Sequence, residues 1–282
     1  MKASAAHVFI GVIARHHLTV PTSVTIQRLA THAKDFCFDC GRRREGHALE
    51  PAHAFTPMRI SLGVEEVGGI ALARNLLAEV WYDGVTDADW FLSLDDDVGR
   101  LTIADLWRMC RAGVDVIGAP LPGRAIQPQC LARAIKLGVD LGSYEEVHRS
   151  LSPLLLRYLP EGPRFVTKDL VEVESTSAGC LLISRAAVTR MIDAYGRFEF
   201  PHGGQKRHPP RLFNFTEDVP DDSYYFCQAW RELGGAVYVD AQTRLTHRGV
   251  VDFATLPLAE LVREEVDRGV GQAIATSQNA NT

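Results

Sequence analysis

Three consecutive carboxylates, Asp95, Asp96 and Asp97, follow an apolar stretch and are the residues of this sequence most suited to chemistry. Neighbouring carboxylates repel one another, and partial burial makes that repulsion more costly. A divalent cation relieves the repulsion, and in an extended chain Asp95 and Asp97 lie on the same face. Carboxylate oxygens suit Mg²⁺ or Mn²⁺. The alternative is a solvated turn or a helix N-terminus, where acidic side chains are also favourable.

A second acidic cluster comprises Glu217, Asp218, Asp221 and Asp222 and precedes a predicted helix. Helix capping accounts for some of these carboxylates, but a helix needs fewer of them than the cluster provides. A carboxylate at this place is suited to act as a general base that takes a proton from an acceptor hydroxyl.

A third group of candidate ligands lies in an insertion at residues 35–57, which breaks the helical pattern with glycines and prolines. Within it, two cysteines and two histidines could form a Cys₂His₂ zinc site: Cys37, Cys40, His47 and His53. Such a short, charged segment has little core of its own, and bound zinc would supply the missing stability. The alternative is a loop with two reduced cysteines.

The pattern of apolar residues predicts the elements that position these groups. Apolar runs predict strands at 7–14, 58–64, 90–94 and 114–119. Helical periodicity between these runs indicates a parallel α/β sheet, in which ligands bind beyond the carboxyl ends of the strands. Asp95 follows the third strand, and His247 lies shortly after a last predicted strand.

Composition limits the classes of protein to consider. The 282 residues, 46% of them hydrophobic, suit one main domain, which we place at 1–254, followed by a C-terminal helix and tail at 255–282. A net charge of -5 argues against wrapping nucleic acid over the whole surface, so any such contact must be local. No apolar run approaches the ~20 residues that cross a bilayer. We therefore expect a cytoplasmic protein that does not bind or span a membrane.

The chain resembles GT-A nucleotide-sugar glycosyltransferases, in particular bacterial and phage-type enzymes related to the large inverting family. The resemblance rests on ordered matches through most of residues 7–250: VFIGVIAR, ALARN, WFLSLDDDV, VIGAPLP, STSAGCLLISR, DSYYFCQAWRELGG and LTHRG. It implies an α/β fold of the GT-A type, with a mostly parallel central sheet flanked by helices. It also implies transfer of a sugar from a nucleotide-sugar donor to an acceptor hydroxyl.

The resemblance assigns roles to individual residues. It implies that Mn²⁺ or Mg²⁺ is bound by Asp95, Asp97 and His247. It implies that the donor is bound by Arg15, Arg74, Asn75, Asp95, Asp96 and Gly179. Ser223 stands where such proteins commonly have the aspartate that is the usual base. The base is therefore sought at Asp222 first, and otherwise at Asp221 or Asp218.

The class of acceptor stays open among a glycan, a lipid-linked sugar, a protein, a small molecule and a hydroxymethylated DNA base. The arginines at 42–44 keep the DNA base in consideration. A second basic segment contains Lys206, Arg207, His208 and Arg211, and for both segments a solvated basic surface is the favoured explanation.

Two other functions compete with sugar transfer. A nucleotidyltransferase or phosphotransferase would normally have a glycine-rich or lysine-bearing phosphate loop near the first strand, and the sequence shows none. A non-catalytic zinc-containing protein that binds nucleic acid would leave the ordered acidic motifs unexplained.

Overall fold

A computed structural model provides the structure of the protein. It describes residues 6–14, 20–38, 41, 57–65, 69–143, 147, 151–216, 218–219, 221–249 and 252–254.

The helices are α1 (Val20–Ala33), α2 (Ile70–Glu79), α3 (Ile103–Arg111), α4 (Pro128–Lys136), α5 (Arg185–Tyr195) and α6 (Asp222–Glu232), and a π-helical turn at Val80–Gly84 extends α2. The strands of the main sheet are β1 (His7–Ile13), β2 (Arg59–Glu65), β3 (Trp90–Asp95), β5 (Val116–Gly118), β7 (Arg164–Thr167), β8 (Leu170–Val173), β10 (Cys180–Ser184) and β13 (Val237–Asp240). The short strands outside it are β4 (Val98–Gly99), β6 (Leu156–Arg157), β9 (Ser175–Thr176), β11 (Phe200–His202), β12 (Gln205–Arg207), β14 (Thr246–Arg248) and β15 (Asp252–Ala254).

The main sheet has the strand order β2-β1-β3-β10-β5-β13-β8-β7. Six of these described strands run in one direction, and β10 and β8 run the other way. The prediction of an α/β fold with a mostly parallel central sheet flanked by helices is confirmed. The reversed strand β10 lies between β3 and β5, so the first four predicted strands are not all neighbours as a simple alternation would have them.

Both faces of the sheet are buried, which explains the unbroken apolar run of β1. Phe9 and Ile13 belong to a core cluster on one face, with side chains of α2, α5 and α6. Val8, Ile10 and Val12 belong to the cluster on the other face, with side chains of α1 and α3. Successive side chains of a strand point to opposite faces, so a central strand between two helical layers must be apolar at every position.

Local sequence signals fix where several helices begin. The hydroxyl of Thr102 accepts a hydrogen bond from the backbone N–H of Asp105, and the Asp105 carboxylate accepts one from the N–H of Thr102, which forms a capping box. The side chain of Asp221 accepts hydrogen bonds from the N–H groups of Ser223 and Tyr224 and caps α6. The cap therefore determines which of the clustered acids lies outside α6 and which lies in its first turn.

A small sheet with the order β15-β14-β4 lies beyond the carboxyl end of β3, since β4 comes directly after β3 in the chain. In its antiparallel pairing His247 lies opposite Val98. The backbone N–H of Arg248 donates to the carbonyl oxygen of Asp97 at 2.8 Å. This sheet therefore brings His247, which is distant in sequence, next to the acidic motif.

None of the helices in the described part of the chain is long and apolar enough to cross a membrane. The predicted C-terminal helix, and most of the insertion at 35–57, lie outside the described residues.

Candidate functional site

The third carboxylate of the acidic motif meets the predicted histidine. Asp97 Oδ1 lies 3.2 Å from His247 Nε2. His247 Nδ1 lies 2.7 Å from the carbonyl oxygen of Pro122, which can only accept, so Nδ1 carries the proton. In the neutral ring Nε2 is then a lone-pair donor to a metal or an acceptor of a hydrogen bond.

Arg124 completes this arrangement with a positive charge. Its Nε donates to His247 Nε2 at 2.9 Å, and its Nη2 pairs with the second oxygen of Asp97. Burial acts to raise the pKa of Asp97, but the hydrogen bond and positive charge that His247 offers in its protonated form, together with Arg124, outweigh burial and lower the pKa below its ordinary value. Asp97 is therefore a carboxylate at neutral pH.

The chemistry of Asp97 and His247 fits a divalent cation. Among the described residues, no hydrogen-bond donor reaches Asp97 Oδ1, although this atom is buried. In neutral His247, Nε2 has no hydrogen atom and accepts the hydrogen bond from Arg124 Nε. Nε2 and Asp97 Oδ1 are then two atoms with lone pairs that lie 3.2 Å apart. Adjacent ligands of one cation, each bonded at about 2.0–2.2 Å, lie roughly 3 Å apart. A cation at this place would give Asp97 Oδ1 a partner and would replace Arg124 as the partner of His247 Nε2.

The first carboxylate of the motif takes part in a different contact. Asp95 Oδ1 accepts from Arg74 Nη2 at 2.6 Å, and the other terminal nitrogen of Arg74 pairs with Asp222. Arg74 Nε donates to the hydroxyl of Ser93 at 3.2 Å. Arg74 is 1% exposed. Burial acts to lower its pKa, but Asp95 and Asp222 raise it overall, so the guanidinium stays charged.

The three predicted metal ligands therefore do not form one cluster in the described residues, where no group of three His, Cys, Asp or Glu side chains is placed to hold a metal ion. Asp97 and His247 come together, whereas Arg74 draws the Asp95 carboxylate towards Asp222. Attraction to the buried Arg74 guanidinium, which also pairs with Asp222, accounts for this orientation of Asp95.

Gly179 lies directly against Asp95. The backbone N–H of Asp95 donates to the carbonyl oxygen of Gly179 at 3.0 Å. A Cβ atom on Gly179 would lie 2.8 Å from Asp95 Oδ2 and 2.8 Å from a methyl carbon of Leu121. The absence of a side chain thus lets the bend before β10 approach the acidic motif.

The candidate bases differ in burial. Asp222 is 5% exposed and paired with Arg74, and burial, opposed by Arg74, raises its pKa above the ordinary value. Asp221, at the N-cap, is exposed and lines a polar cavity of about 250 Å³ together with Ser177 and Tyr224. Asp218 is exposed on the preceding loop. The choice among the three stays a prediction, and Asp221 combines exposure with a position at this cavity.

Several predicted donor-binding residues are enclosed by protein. Asn75, 3% exposed, donates to the carbonyl oxygen of Phe213 at 2.7 Å and accepts from the N–H groups of Leu212 and Phe213. Asn75 and Arg74 therefore hold neighbouring segments in place, and a direct contact of either with a donor stays a prediction. The backbone N–H of Asp96 donates to the carbonyl oxygen of Ile13 at 3.2 Å, next to the end of β1.

Other predicted site residues lie outside the described part of the chain: Arg15, Cys40, His47 and His53. Cys37 is described and buried. Its backbone forms an antiparallel β-bridge with Pro57, which joins the two ends of the insertion. The zinc site therefore stays a prediction.

Two features of the site were missed by the sequence reasoning. Arg124 follows β5 in the motif LPGRA, and a cation shortly after a predicted strand was a usable signal. The guanidinium of Arg157 lies 4.1 Å from the ring centroid of Tyr224, whose hydroxyl donates to Glu174 at 3.0 Å. No local pattern relates these three residues, so this cluster could not have been found from the sequence.

No protein-family model and no curated protein matches the chain. Among solved structures it is similar to A197 from STIV, with 12% identity, coverage of 86% of each chain and a TM-score of 0.44. It is also similar to GalNAc-T7 crystallised with UDP, GalNAc and Mn²⁺, with 10% identity and a TM-score of 0.41 over 85% of this chain and 43% of that one. It is also similar to mouse xyloside xylosyltransferase 1 in its apo form, with 11% identity and a TM-score of 0.28 over 66% of this chain and 69% of that one. Likenesses at this level identify neither a family nor an activity.

Proposed function

We propose that this protein is a metal-dependent GT-A glycosyltransferase that moves a sugar from a nucleotide-sugar donor to an acceptor hydroxyl. The observation that carries the proposal is the contact of Asp97 with His247, which leaves a buried carboxylate oxygen without a hydrogen-bond donor among the described residues. This contact lies just past the carboxyl end of β3, the edge at which α/β sheets bind their ligands.

Asp97 and His247 are the side chains that would hold a divalent cation, with Asp95 joining them if its carboxylate turns from Arg74. When bound, Mn²⁺ or Mg²⁺ supplies a Lewis acid that offsets the negative charge of the diphosphate leaving group. Arg124, at 38% side-chain exposure, is placed to donate hydrogen bonds to the same phosphates once a cation takes over its contacts with Asp97 and His247.

Arg74 serves as a positioning residue. Its buried guanidinium fixes the first carboxylate of the motif relative to the first turn of α6. Arg74 thus joins β3, which ends in the acidic motif, to α6, which follows the candidate base Asp221. This connection supports preorganisation of the reacting groups.

We propose Asp221 as the general base that takes the proton of the acceptor hydroxyl. Its exposure and its place at the polar cavity support this role, and its N-cap hydrogen bonds fix its orientation. Asp222 is less suited to touch an acceptor, because its charge is buried against Arg74. The acceptor is a glycan or a hydroxymethylated DNA base in this proposal, and the insertion at 35–57 binds a structural zinc ion.

Donor binding tests the proposal through the stability of the folded protein. A ligand that binds only the folded state raises the free energy of unfolding, by about 2.7 kcal/mol at a hundredfold excess over Kd. The full chain is therefore heated with a panel of nucleotide sugars, each with and without Mn²⁺. We expect a rise in Tm for at least one sugar nucleotide that requires Mn²⁺.

Asp97→Asn removes the charge of the metal-binding carboxylate at constant size, and we expect it to abolish the Mn²⁺-dependent rise while leaving the Tm of the free protein close to that of the parent. Asp193→Asn, at an exposed position of α5, is the matched control and should behave as the parent. A stabilisation by nucleotide sugar that persists unchanged in Asp97→Asn contradicts the metal assignment. No stabilisation by any sugar nucleotide contradicts the function.

A further inference from the structure

A second cavity, separate from the polar one, is lined by aromatic side chains. It has a volume of about 460 Å³, within the range of small-molecule sites. Five aromatic residues line it: Phe198, Phe200, Phe213, Phe215 and Tyr225. Arg211 also lines it, and its guanidinium lies 5.3 Å from the ring centroid of Phe198. Among the described residues no carboxylate pairs with Arg211, so its charge is available to a ligand.

The walls of this aromatic cavity are held in place by polar contacts. Asn75 binds the backbone of Leu212 and Phe213 through three hydrogen bonds. Behind the cavity wall, the ring of Phe213 stacks on that of Phe226 at 5.0 Å between centroids. A cavity whose wall is fixed before binding loses little conformational entropy when a ligand enters.

The hairpin of β11 and β12 is fixed to the rest of the protein at both ends. His202 Nε2 lies 3.1 Å from Glu65 at the end of β2, and Arg207 pairs with Glu79 of α2 at 3.0 Å. These contacts hold Phe200 of the hairpin over α2 and preserve the cavity.

The aromatic cavity lies beside the candidate active site. The guanidinium carbon of Arg74 lies 5.7 Å from the ring centroid of Phe213, so one side chain contacts both the cavity wall and the carboxylates Asp95 and Asp222. Tyr225 lies in the first turn of α6, close to the N-cap residue Asp221. The aromatic cavity therefore adjoins the candidate active site through Arg74 and the first turn of α6.

We propose that this cavity binds a planar aromatic group with a negative charge, and that this group belongs to the acceptor. The aromatic walls offer stacking and edge-to-face contacts to a flat ring, and Arg211 at the mouth offers a charge-assisted hydrogen bond. The assignment to the acceptor rests on the proposed glycosyltransferase function, whereas the binding of an aromatic anion does not.

The test uses two fluorescent probes that share a ring system. 1-Anilinonaphthalene-8-sulfonate carries a negative charge, and N-phenyl-1-naphthylamine is neutral. Each is titrated into the full chain without metal or donor, so that the result does not depend on glycosyl transfer. We expect one saturable site for each probe.

Two variants at the mouth of the cavity then separate its two kinds of contact. Phe215→Ala, at a side chain 48% exposed, should weaken both probes roughly two- to tenfold, as loss of one aromatic contact does. Arg211→Gln should weaken the sulfonate several-fold and leave the neutral probe unchanged. Phe165→Ala, at a 36% exposed ring on β7, is the matched control and should change neither. Thermal unfolding of each variant verifies that it folds.

Equal affinities of Phe215→Ala and the parent for both probes would overturn the site. An equal effect of Arg211→Gln on both probes would overturn the preference for an anion. Competition addresses the source of the aromatic group: the sulfonate should stay bound when a nucleoside diphosphate that stabilises the protein is added with Mn²⁺. Its displacement would assign the cavity to the donor's base and overturn the assignment to the acceptor.

Discussion

Arg124 holds, at the scale of single residues, the place that a cation would take between Asp97 and His247. It contacts the carboxylate through Nη2 and the imidazole through Nε. Arg124 and a divalent ion cannot both bind His247, because both require the lone pair of its Nε2. Metal binding must therefore displace Arg124, and the displaced charge is then close to any phosphate that the metal holds.

This competition predicts opposite effects of Arg124→Gln on two ligands. Mn²⁺ alone should bind up to about fivefold more tightly, since a partly exposed ion pair contributes about 1 kcal/mol or less. The nucleoside diphosphate, in the presence of saturating Mn²⁺, should bind more weakly. Titration calorimetry measures both affinities. Lys136→Gln removes an exposed charge from α4 as the matched control. Weaker binding of Mn²⁺ alone to Arg124→Gln would refute the competition.

The candidate bases are separated by comparing turnover with stability. Asp221→Asn keeps a good N-cap residue, so the free energy of unfolding should change little, while turnover should fall on the order of 10²–10⁴-fold. Asp222→Asn leaves the buried Arg74 guanidinium with Asp95 as its one carboxylate partner and should cost about 1.5–3 kcal/mol of stability, as loss of a hydrogen bond to a charged group does.

Asp218→Asn, at an exposed loop position, should change neither quantity. Chemical denaturation and steady-state kinetics are measured for the three variants. Full turnover in Asp221→Asn, with a large loss in Asp222→Asn at unchanged stability, would return the role of base to Asp222.

At the scale of elements, the strands that sequence patterns predicted are those with long apolar runs. Runs such as that of β1 predict a strand buried on both faces, which β1 is. The same signal says nothing about direction, because β10 is buried at all five positions whether it runs parallel or antiparallel to its neighbours. Strands of two or three residues, such as β4 and β14, have no periodicity to detect.

The candidate site was predictable where one strand end carries several polar residues, and less so where long-range pairing decides. Asp95 and Asp97 could be found from their place after an apolar run. That His247 meets Asp97 depends on the pairing of β14 with β4, and the resemblance of motifs, not the pattern of residues, predicted it. Which acid is buried against Arg74 depends on the cap of α6, which a cluster of four acids leaves open.

The insertion is a separate element whose ends the structure describes. The bridge between Cys37 and Pro57 closes it at its base, and the N–H of Gly41 donates to the carbonyl oxygen of Cys37 at 2.9 Å. The zinc knuckle itself stays a prediction, with Cys37, Cys40, His47 and His53 as its ligands.

Metal analysis tests the zinc prediction. Protein purified without chelator should contain one equivalent of zinc, and the double variant Cys37→Ser, Cys40→Ser should contain none. Cys130→Ser, at a partly buried cysteine of α4, should retain the zinc. Because this site would stabilise the insertion only, the Mn²⁺-dependent binding of donor should persist in the double variant. Protein without zinc, or a double variant that retains it, would refute the site.

At the scale of the whole molecule, the distribution of charge bears on the acceptor. The net charge is -5, and two cations of the predicted basic segment at 206–211 are already paired. Lys206 lies 3.0 Å from Glu199, and Arg207 lies 3.0 Å from Glu79. Paired cations release few counterions from DNA, so this segment is a weaker phosphate-binding surface than its sequence suggests. A DNA acceptor would have to be held by a few local contacts.

Salt dependence provides the corresponding prediction. A protein that makes 6–10 phosphate contacts loses about 10³–10⁵ in DNA affinity between 50 and 200 mM salt. We expect this protein to lose on the order of tenfold or less, because a few local contacts release few ions. Fluorescence anisotropy with a labelled duplex, with and without hydroxymethylated bases, measures the affinity across that range. Glu79→Gln and Glu199→Gln, which free Arg207 and Lys206, should together steepen the salt dependence if the duplex passes over the hairpin. A steep salt dependence in the parent protein would indicate an extensive phosphate-binding surface and contradict the prediction of local contact. A shallow salt dependence that the two substitutions leave unchanged would place the DNA contact away from the hairpin.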